Sequence, residues 1–319
     1  MPSSGETVDR REWALRAFRR GEPLRLEDPR YLRWVEIFTF GLLEDDLGEA
    51  GDLTTEAVFG GRKRKGRAVV EAQEEGVLAG LAELQWFYGR SGLKTEPRKK
   101  DGDRIRAGDV ILEVEGDLAD LLRTERVGLN LLQRMSGIST KTWRLVEELH
   151  RASFRTLVVA TRKTPWGPLD KRAVYLGGGG THRLGLWEAI LIKGNHLKAL
   201  GGPSERALEE ALEKAWSFRG KAAFIEVEVS SLEAALQAAR VFQKLQALAS
   251  NLQTPAILML DNISPDEVRE ITSTLQVEGL YASVLLEASG GIDEGNFLAY
   301  AASGVDAISL GSLTHSVRA

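Results

Sequence analysis

The sequence predicts an α/β protein in which a smaller mixed domain precedes a parallel α/β barrel. After position 150, short apolar runs (RTLVVA, EAILIK, AFIEVEV, AILMLD, SVLLEAS, DAISLG) alternate with helical stretches, the pattern of a parallel sheet covered by helices. The residues closing these runs, Ala160, Lys193, Glu228, Asp261, Glu287 and Gly311, lie 33, 35, 33, 26 and 24 residues apart, one strand–helix unit each. Consecutive units of this kind, without a G-x-G-x-x-G turn, favour a closed barrel over an open doubly wound sheet.

The elements follow in order. The first thirty or so residues are charged and read as a loosely held arm with one short amphipathic helix. From Tyr31 to Glu44 apolar residues recur at helical spacing, and an Asp-Asp-Leu-Gly segment ends the run. KGRAVVEAQEEGVLAG and DRIRAGDVILEVEG read as short strands with turns between them, flanking a helix at Leu81–Tyr88. Around Asp101–Asp109 the glycine and aspartate spacing predicts a turn between two antiparallel strands. Asp117 opens a long helix towards His150 that ends one domain and leads into the next. The expected organisation is an arm over 1–30, a first domain over 31–145 and a barrel over 146–319, whose last residues can pack back on the first domain. The stretch Ala234–Thr254 is long enough for an extended barrel helix.

Composition narrows the function. The chain has 319 residues, ample for a sizeable core, with 43% apolar and 28% charged residues, an ordinary globular balance. A net charge of −4 argues against a nucleic-acid coat protein. With no cysteine, disulfides, thiolate metal sites and a cysteine nucleophile are all excluded. The four histidines (His150, His182, His196, His315) contain no H-x-x-x-H pair, against a structural zinc. No apolar run approaches the ~20 residues of a membrane span. MPSSGETVDRREWALRAFRR lacks the apolar region of a secretory signal. The expectation is a cytoplasmic protein.

In α/β barrels chemistry sits where strands end. These ends read Thr161-Arg162-Lys163-Thr164, Lys193, Glu228, Asp261-Asn262, Ser289-Gly290-Gly291 and Gly311-Ser312. The two glycine-bearing ends come last, where barrels often cradle a phosphate on backbone N–H groups that glycine leaves accessible. Arg162, Lys163, Arg183 and Lys193 fall within 32 residues, joined by a Gly177–Gly180 loop and His182. Four cations at one mouth repel one another unless a polyanion fills the space, and arginine forks suit carboxylates and phosphates. Strand alternation puts Glu226 and Glu228 on the lumen face, Glu226 about 6–7 Å deeper. Buried carboxylates need partners, and the basic group can supply them. A sugar phosphate bearing several negative charges suits such a site.

These same segments carry a family resemblance. ATRKT, LDKRAV-x-x-GGGG-x-HR-x-GL, ILIK-x-NH, IEVEV, LMLDN, EASGGI and SLGSLTHS, with EDDLGEAGDLTTEAVF and ERVGLNLLQRMSGIST before them, resemble the quinolinate phosphoribosyltransferases, over roughly Tyr31 to Ser316. The resemblance implies an N-terminal α/β sandwich followed by an incomplete, TIM-like α/β barrel. It also implies a homodimer or dimer-based hexamer with a shared active site. The implied reaction joins quinolinate to 5-phosphoribosyl 1-pyrophosphate with Mg²⁺, giving nicotinate mononucleotide, pyrophosphate and CO₂ for NAD biosynthesis, with no organic cofactor. By motif, Arg126 reaches quinolinate in the partner subunit's site, while Arg162, His182, Arg183 and Lys193 hold its carboxylates. Lys163 lies between the substrates. Glu228 and Asp261 face the ribose and the metal-bound pyrophosphate, touching the metal only indirectly. Ser289, Gly290, Gly311 and His315 take the 5-phosphate.

The chain departs from the family pattern at two places. Gly194 follows Lys193 where the family normally has aspartate, and TRKTPWGPLDK is a couple of residues short, with Trp166 where proline is frequent. Rival readings are the related pyrophosphorylase-like proteins encoded with molybdenum transport genes, a Schiff-base aldolase using Lys193, and a ligand-binding relative without catalysis.

Overall fold

A computed structural model describes residues 9–202, 204–249 and 254–318. The chain divides into two compact units. One comprises the described residues to Arg20, Leu145–Arg162 and Gly179–Ser312; the other comprises Gly21–Arg144, Lys163–Gly178 and the described residues from Leu313.

In the first unit, six parallel strands lie side by side in the order Leu157–Ala160, Ala307–Leu310, Leu285–Ser289, Ala256–Asp261, Ile225–Val229, Ile190–Ile192. The strands that come first and last in sequence are neighbours, so the sheet curls round on itself as a barrel does. Between Leu157–Ala160 and Ile190–Ile192 the described residues supply only one bridge, Val159 to Gly180. The barrel is therefore incomplete. Glycine is needed at the bridge, because a Cβ on Gly180 would come within 2.5 Å of a Val159 methyl and 3.0 Å of the Phe18 carbonyl oxygen.

Register sets the lumen. Glu226 stands opposite Ile257, Glu228 opposite Met259, and Glu287 opposite Met259 from the other side. Asp261 pairs with Ser289. Glu287 is thus not a strand end, as the spacing suggested; it lies inside a strand that runs on to Ser289.

The N-terminal segment is not the loose arm expected. Arg10–Phe18 is a helix whose Ala14, Ala17 and Phe18 join the lumen residues Leu157, Ile257, Leu285 and Ala307 in one buried cluster. Arg10 anchors it with two 2.7 Å bonds to the Asp306 carboxylate. The segment looked solvent-facing because its charged residues outnumber the three small or aromatic ones that face inward. Residues 1–8, also read as arm, lie outside those described. The helix read over Ala234–Thr254 is Leu232–Ala247, and residues 250–253 of that stretch are likewise outside.

In the second unit, Asp28 caps the helix Pro29–Leu47 by accepting the Arg30 and Tyr31 N–H groups. A three-stranded antiparallel sheet runs Lys65–Glu71, Val110–Asp117, Lys94–Pro97. Arg104–Ile105 pairs with Gly76–Val77 rather than with Val110–Asp117. The Asp101–Asp109 segment thus lies between Lys94–Pro97 and Val110–Asp117, antiparallel neighbours in one sheet as expected, while its own Arg104–Ile105 joins a second, two-stranded sheet. Leu78, Leu81, Leu84, Phe87 and Leu112 form the buried core here. The helix Leu118–Arg151 carries the unit boundary within it, at Arg144. Residues 163–178, expected in the barrel, belong to this unit. Among the described residues no helix is long and apolar enough to cross a membrane.

Candidate active site

The barrel strands present their predicted residues at one end. Lys193 follows the strand Ile190–Ile192, and its Nζ donates to Glu228 Oε1 at 2.6 Å. The Gly194 N–H donates to the other carboxylate oxygen at 3.1 Å. Glu228 is therefore gripped at both oxygens, with its side chain only 18% exposed. Next along the sheet, the Asp261 carboxylate accepts a 2.9 Å bond from the Asn262 side-chain amide. Ser289 beside it accepts from Ser309 Oγ at 2.9 Å. Asn262, Gly290 and Gly291 all have positive φ, so the backbone folds back sharply at these two strand ends. At Gly290 a Cβ would sit 2.5 Å from the Asn262 side chain, so only glycine fits the turn.

The cations are under electrostatic stress. Arg183 is 5% exposed, and its Nη1 donates to the Ala189 carbonyl oxygen at 3.2 Å. Burial and the neighbouring Arg162 guanidinium hold it below the usual arginine range, against the pull of Glu226 and Glu228. Arg162 itself is exposed. A bound dianion would relieve this stress.

His182 is not among the exposed cations. It is buried, and its Nε2 lies 3.0 Å from Glu226 and 3.3 Å from Glu287, both fully buried. Its Nδ1 lies 2.7 Å from the Arg183 backbone nitrogen. Phe18 and Phe224 flank the ring. Both ring nitrogens therefore face groups of the protein, with Nε2 towards the two carboxylates and Nδ1 towards the Arg183 backbone. Glu226 finds its partner in this histidine. Glu287 was missed as a site residue; its signal was a charged residue at lumen parity within an otherwise apolar strand.

These three side chains offer potential metal ligands within 4.8 Å of one another. With two buried carboxylates beside it, Nε2 carries a proton and is a donor, not a metal ligand. The cluster suits protons instead. Burial and Glu287 push Glu226 up to about 7, while the two glutamates outweigh burial and carry His182 up to about 9. Folding thus raises the affinity of both groups for protons, from ordinary values of 4.5 and 6.5. Folded protein holds more protons than unfolded chain across that span, so stability is lost as pH rises through it. The melting temperature is expected to fall by about 5 °C between pH 6 and pH 9. Glu226→Gln should flatten this slope in a calorimetric series.

In the second unit, Lys163 is exposed, and its carbonyl oxygen accepts from Thr314 Oγ1 at 2.7 Å. His315 follows on the short helix Ser312–His315, exposed, with Nδ1 2.6 Å from Ser316 Oγ. Arg126 is exposed on the helix Leu118–Arg151.

With this geometry in view, the relatives are informative. Residues 52–136 match the model of the quinolinate phosphoribosyl transferase N-terminal domain, and residues 138–319 that of its C-terminal domain. The chain belongs to the quinolinate phosphoribosyl transferase family. It is 38% identical over 278 residues to a probable nicotinate-nucleotide pyrophosphorylase [carboxylating] of Bacillus subtilis, covering 86% of this chain and 87% of that one. It is 37% identical over 254 residues to a protein of the same description from Archaeoglobus fulgidus, covering 79% and 91%. The solved nicotinate-nucleotide pyrophosphorylase of Francisella tularensis superposes with a TM-score of 0.75 at 30% identity, over 90% of this chain and 93% of that one.

For a quinolinate phosphoribosyl transferase family member, the two sequence departures have structural consequences. Nothing lies within 4 Å of where a Gly194 side chain would start, so the position is open and its N–H serves Glu228. Trp166 donates its N–H to Asp170 Oδ2 at 3.0 Å, a bond proline cannot make.

Proposed function

We propose that the protein is a quinolinate phosphoribosyltransferase, converting quinolinate and 5-phosphoribosyl 1-pyrophosphate into nicotinate mononucleotide, pyrophosphate and CO₂. Among the site's features, one carries this choice of substrate: the mutually repelling guanidinium groups of Arg162 and Arg183 beside the Lys193–Glu228 ion pair. Two adjacent ring carboxylates are the complement of such a pocket.

Arg162, Arg183 and Lys193 orient the ring so that its nitrogen faces the anomeric carbon, and Arg126 closes the pocket from a second subunit of a homodimer or dimer-based hexamer. Lys163 lies between the substrates. Backbone groups at Gly290 and Gly311, with Ser289, hold the 5-phosphate in the barrel unit, and His315 is assigned to the same group by its motif alone. As pyrophosphate departs, positive charge grows at the anomeric carbon, where Glu228 and Asp261 lower its energy. Their hard oxygen donors also suit Mg²⁺ entering with the sugar pyrophosphate, which when bound neutralises the leaving group. Once the ring nitrogen is ribosylated, its positive charge stabilises the carbanion left when the adjacent carboxylate leaves as CO₂, and a proton from water then completes the C–H bond of nicotinate mononucleotide. Positioning and electrostatics account for the catalysis, with no organic cofactor. Charge and composition point away from nucleic-acid partners, and a cytoplasmic setting fits a biosynthetic enzyme.

A Schiff-base aldolase needs a neutral amine at Lys193, whereas its ammonium is held 2.6 Å from Glu228. In an assay of pyrophosphate release with Mg²⁺ and phosphoribosyl pyrophosphate, quinolinate is expected to support turnover and nicotinate to be at least ~100-fold poorer, having lost one charged contact set. Equal turnover of both acids would overturn the assignment.

A further inference from the structure

We infer that Arg134, Asp170 and Thr314 are positioning residues that fix the Lys163 backbone relative to the turn carrying His315. This assignment rests on the phosphoribosyl-transfer reading, in which Lys163 and His315 meet the sugar pyrophosphate.

Asp170 is fully buried and begins a closed circuit of bonds. It accepts the Arg134 fork at 2.9 and 3.0 Å, and the Trp166 N–H at 3.0 Å. Arg134 Nη2 also donates to the Thr314 carbonyl oxygen at 2.9 Å. Thr314, itself buried, returns its hydroxyl to the Lys163 carbonyl at 2.7 Å. Three stretches distant in sequence are joined in this way: the helix Leu118–Arg151, the stretch from Lys163 into the first turn of the helix Pro168–Leu176, and the final helical turn Ser312–His315.

The chemistry of the circuit suits holding rather than reacting. A buried carboxylate is tolerated only when its lone pairs are used, and here three donors use them. A bidentate arginine fixes the plane of the carboxylate as well as its place. Trp166 adds to the brace: its ring lies 4.9 Å from the Arg134 guanidinium carbon and packs, tilted by 50°, against Phe38 with ring centroids 4.3 Å apart. The shortened loop is thus bonded at its tryptophan, at its aspartate and at the Lys163 carbonyl. Such a loop meets substrate already formed, so less ordering remains to oppose binding.

The test is calorimetric binding of phosphoribosyl pyrophosphate with Mg²⁺ to the full-length protein and to Thr314→Val, Thr314→Ser and Arg134→Lys variants, each checked for a folded melting transition. Thr314→Val keeps the shape but loses one hydroxyl. It is expected to weaken binding about tenfold, with Thr314→Ser restoring it to within about twofold. Arg134→Lys, which keeps charge but loses the fork, is expected to weaken binding by a similar factor. Folded variants that all bind as the parent does would overturn the positioning role alone. A parent protein that fails to bind phosphoribosyl pyrophosphate would overturn the phosphoribosyl-transfer reading, and the positioning role with it.

Discussion

Arg162→Ala is expected to lower kcat/KM for quinolinate about 10³-fold while leaving the melting temperature nearly unchanged. Arg162 is exposed in the barrel unit, so its removal leaves no cavity and no buried partner unsatisfied. What it loses is a charge-assisted, forked contact to a ligand carboxylate, with the repulsion against Arg183 that the ligand relieves. The same loss is expected of Arg126→Ala, on the long helix of the second unit. If Arg126 serves the partner's site, mixing the two inactive proteins rescues activity, because each mixed dimer holds one intact site and one doubly defective site. Random exchange into dimers then returns about a quarter of wild-type activity. Mixed preparations shown to exchange subunits but remaining inactive would place Arg126 outside a shared site.

Glu228→Gln is expected to reduce kcat by about 10²–10³-fold, with a smaller rise in KM for quinolinate. In the proposed reaction the carboxylate faces the carbon where positive charge develops, and an amide of the same shape cannot stabilise that charge. The rise in KM follows from Lys193, whose ammonium loses its 2.6 Å partner and with it one fixed orientation. Steady-state kinetics with each substrate varied in turn separates the two effects. A variant that keeps kcat but loses affinity would make Glu228 a holder of Lys193 and nothing more.

The barrel was legible in the sequence because its strands are short apolar runs at nearly even spacing, ending in polar residues that cannot be buried within the sheet. The same rule found Lys193, Glu228, Asp261 and Ser289. It failed at Glu287, whose polarity suggested a strand end, and it was silent on the burial of His182. Their burial depends on each other and on Glu226, three residues far apart in sequence whose meeting only the closed sheet determines. The N-terminal helix escaped for a related reason. Its inward face is three residues wide, and only the hollow lined by Leu157, Ile257, Leu285 and Ala307 gives those residues something to fill. Arg134 and Asp170 lie within the segments ERVGLNLLQRMSGIST and LDKRAV, yet neither periodicity nor composition pairs positions 36 residues apart. Trp166 was noticed as a departure, and its N–H bond to Asp170 gives that departure a physical meaning.

The central claim is that a crowded cationic pocket couples loss of a ring carboxylate to transfer of a phosphoribosyl group. Quinolinate labelled in its 2-carboxyl carbon, incubated with phosphoribosyl pyrophosphate and Mg²⁺, measures that coupling directly. Labelled CO₂ and pyrophosphate are expected in equal amounts, with neither formed when either substrate is omitted. Pyrophosphate release with the label retained in the nucleotide, or label lost without phosphoribosyl pyrophosphate, would contradict it.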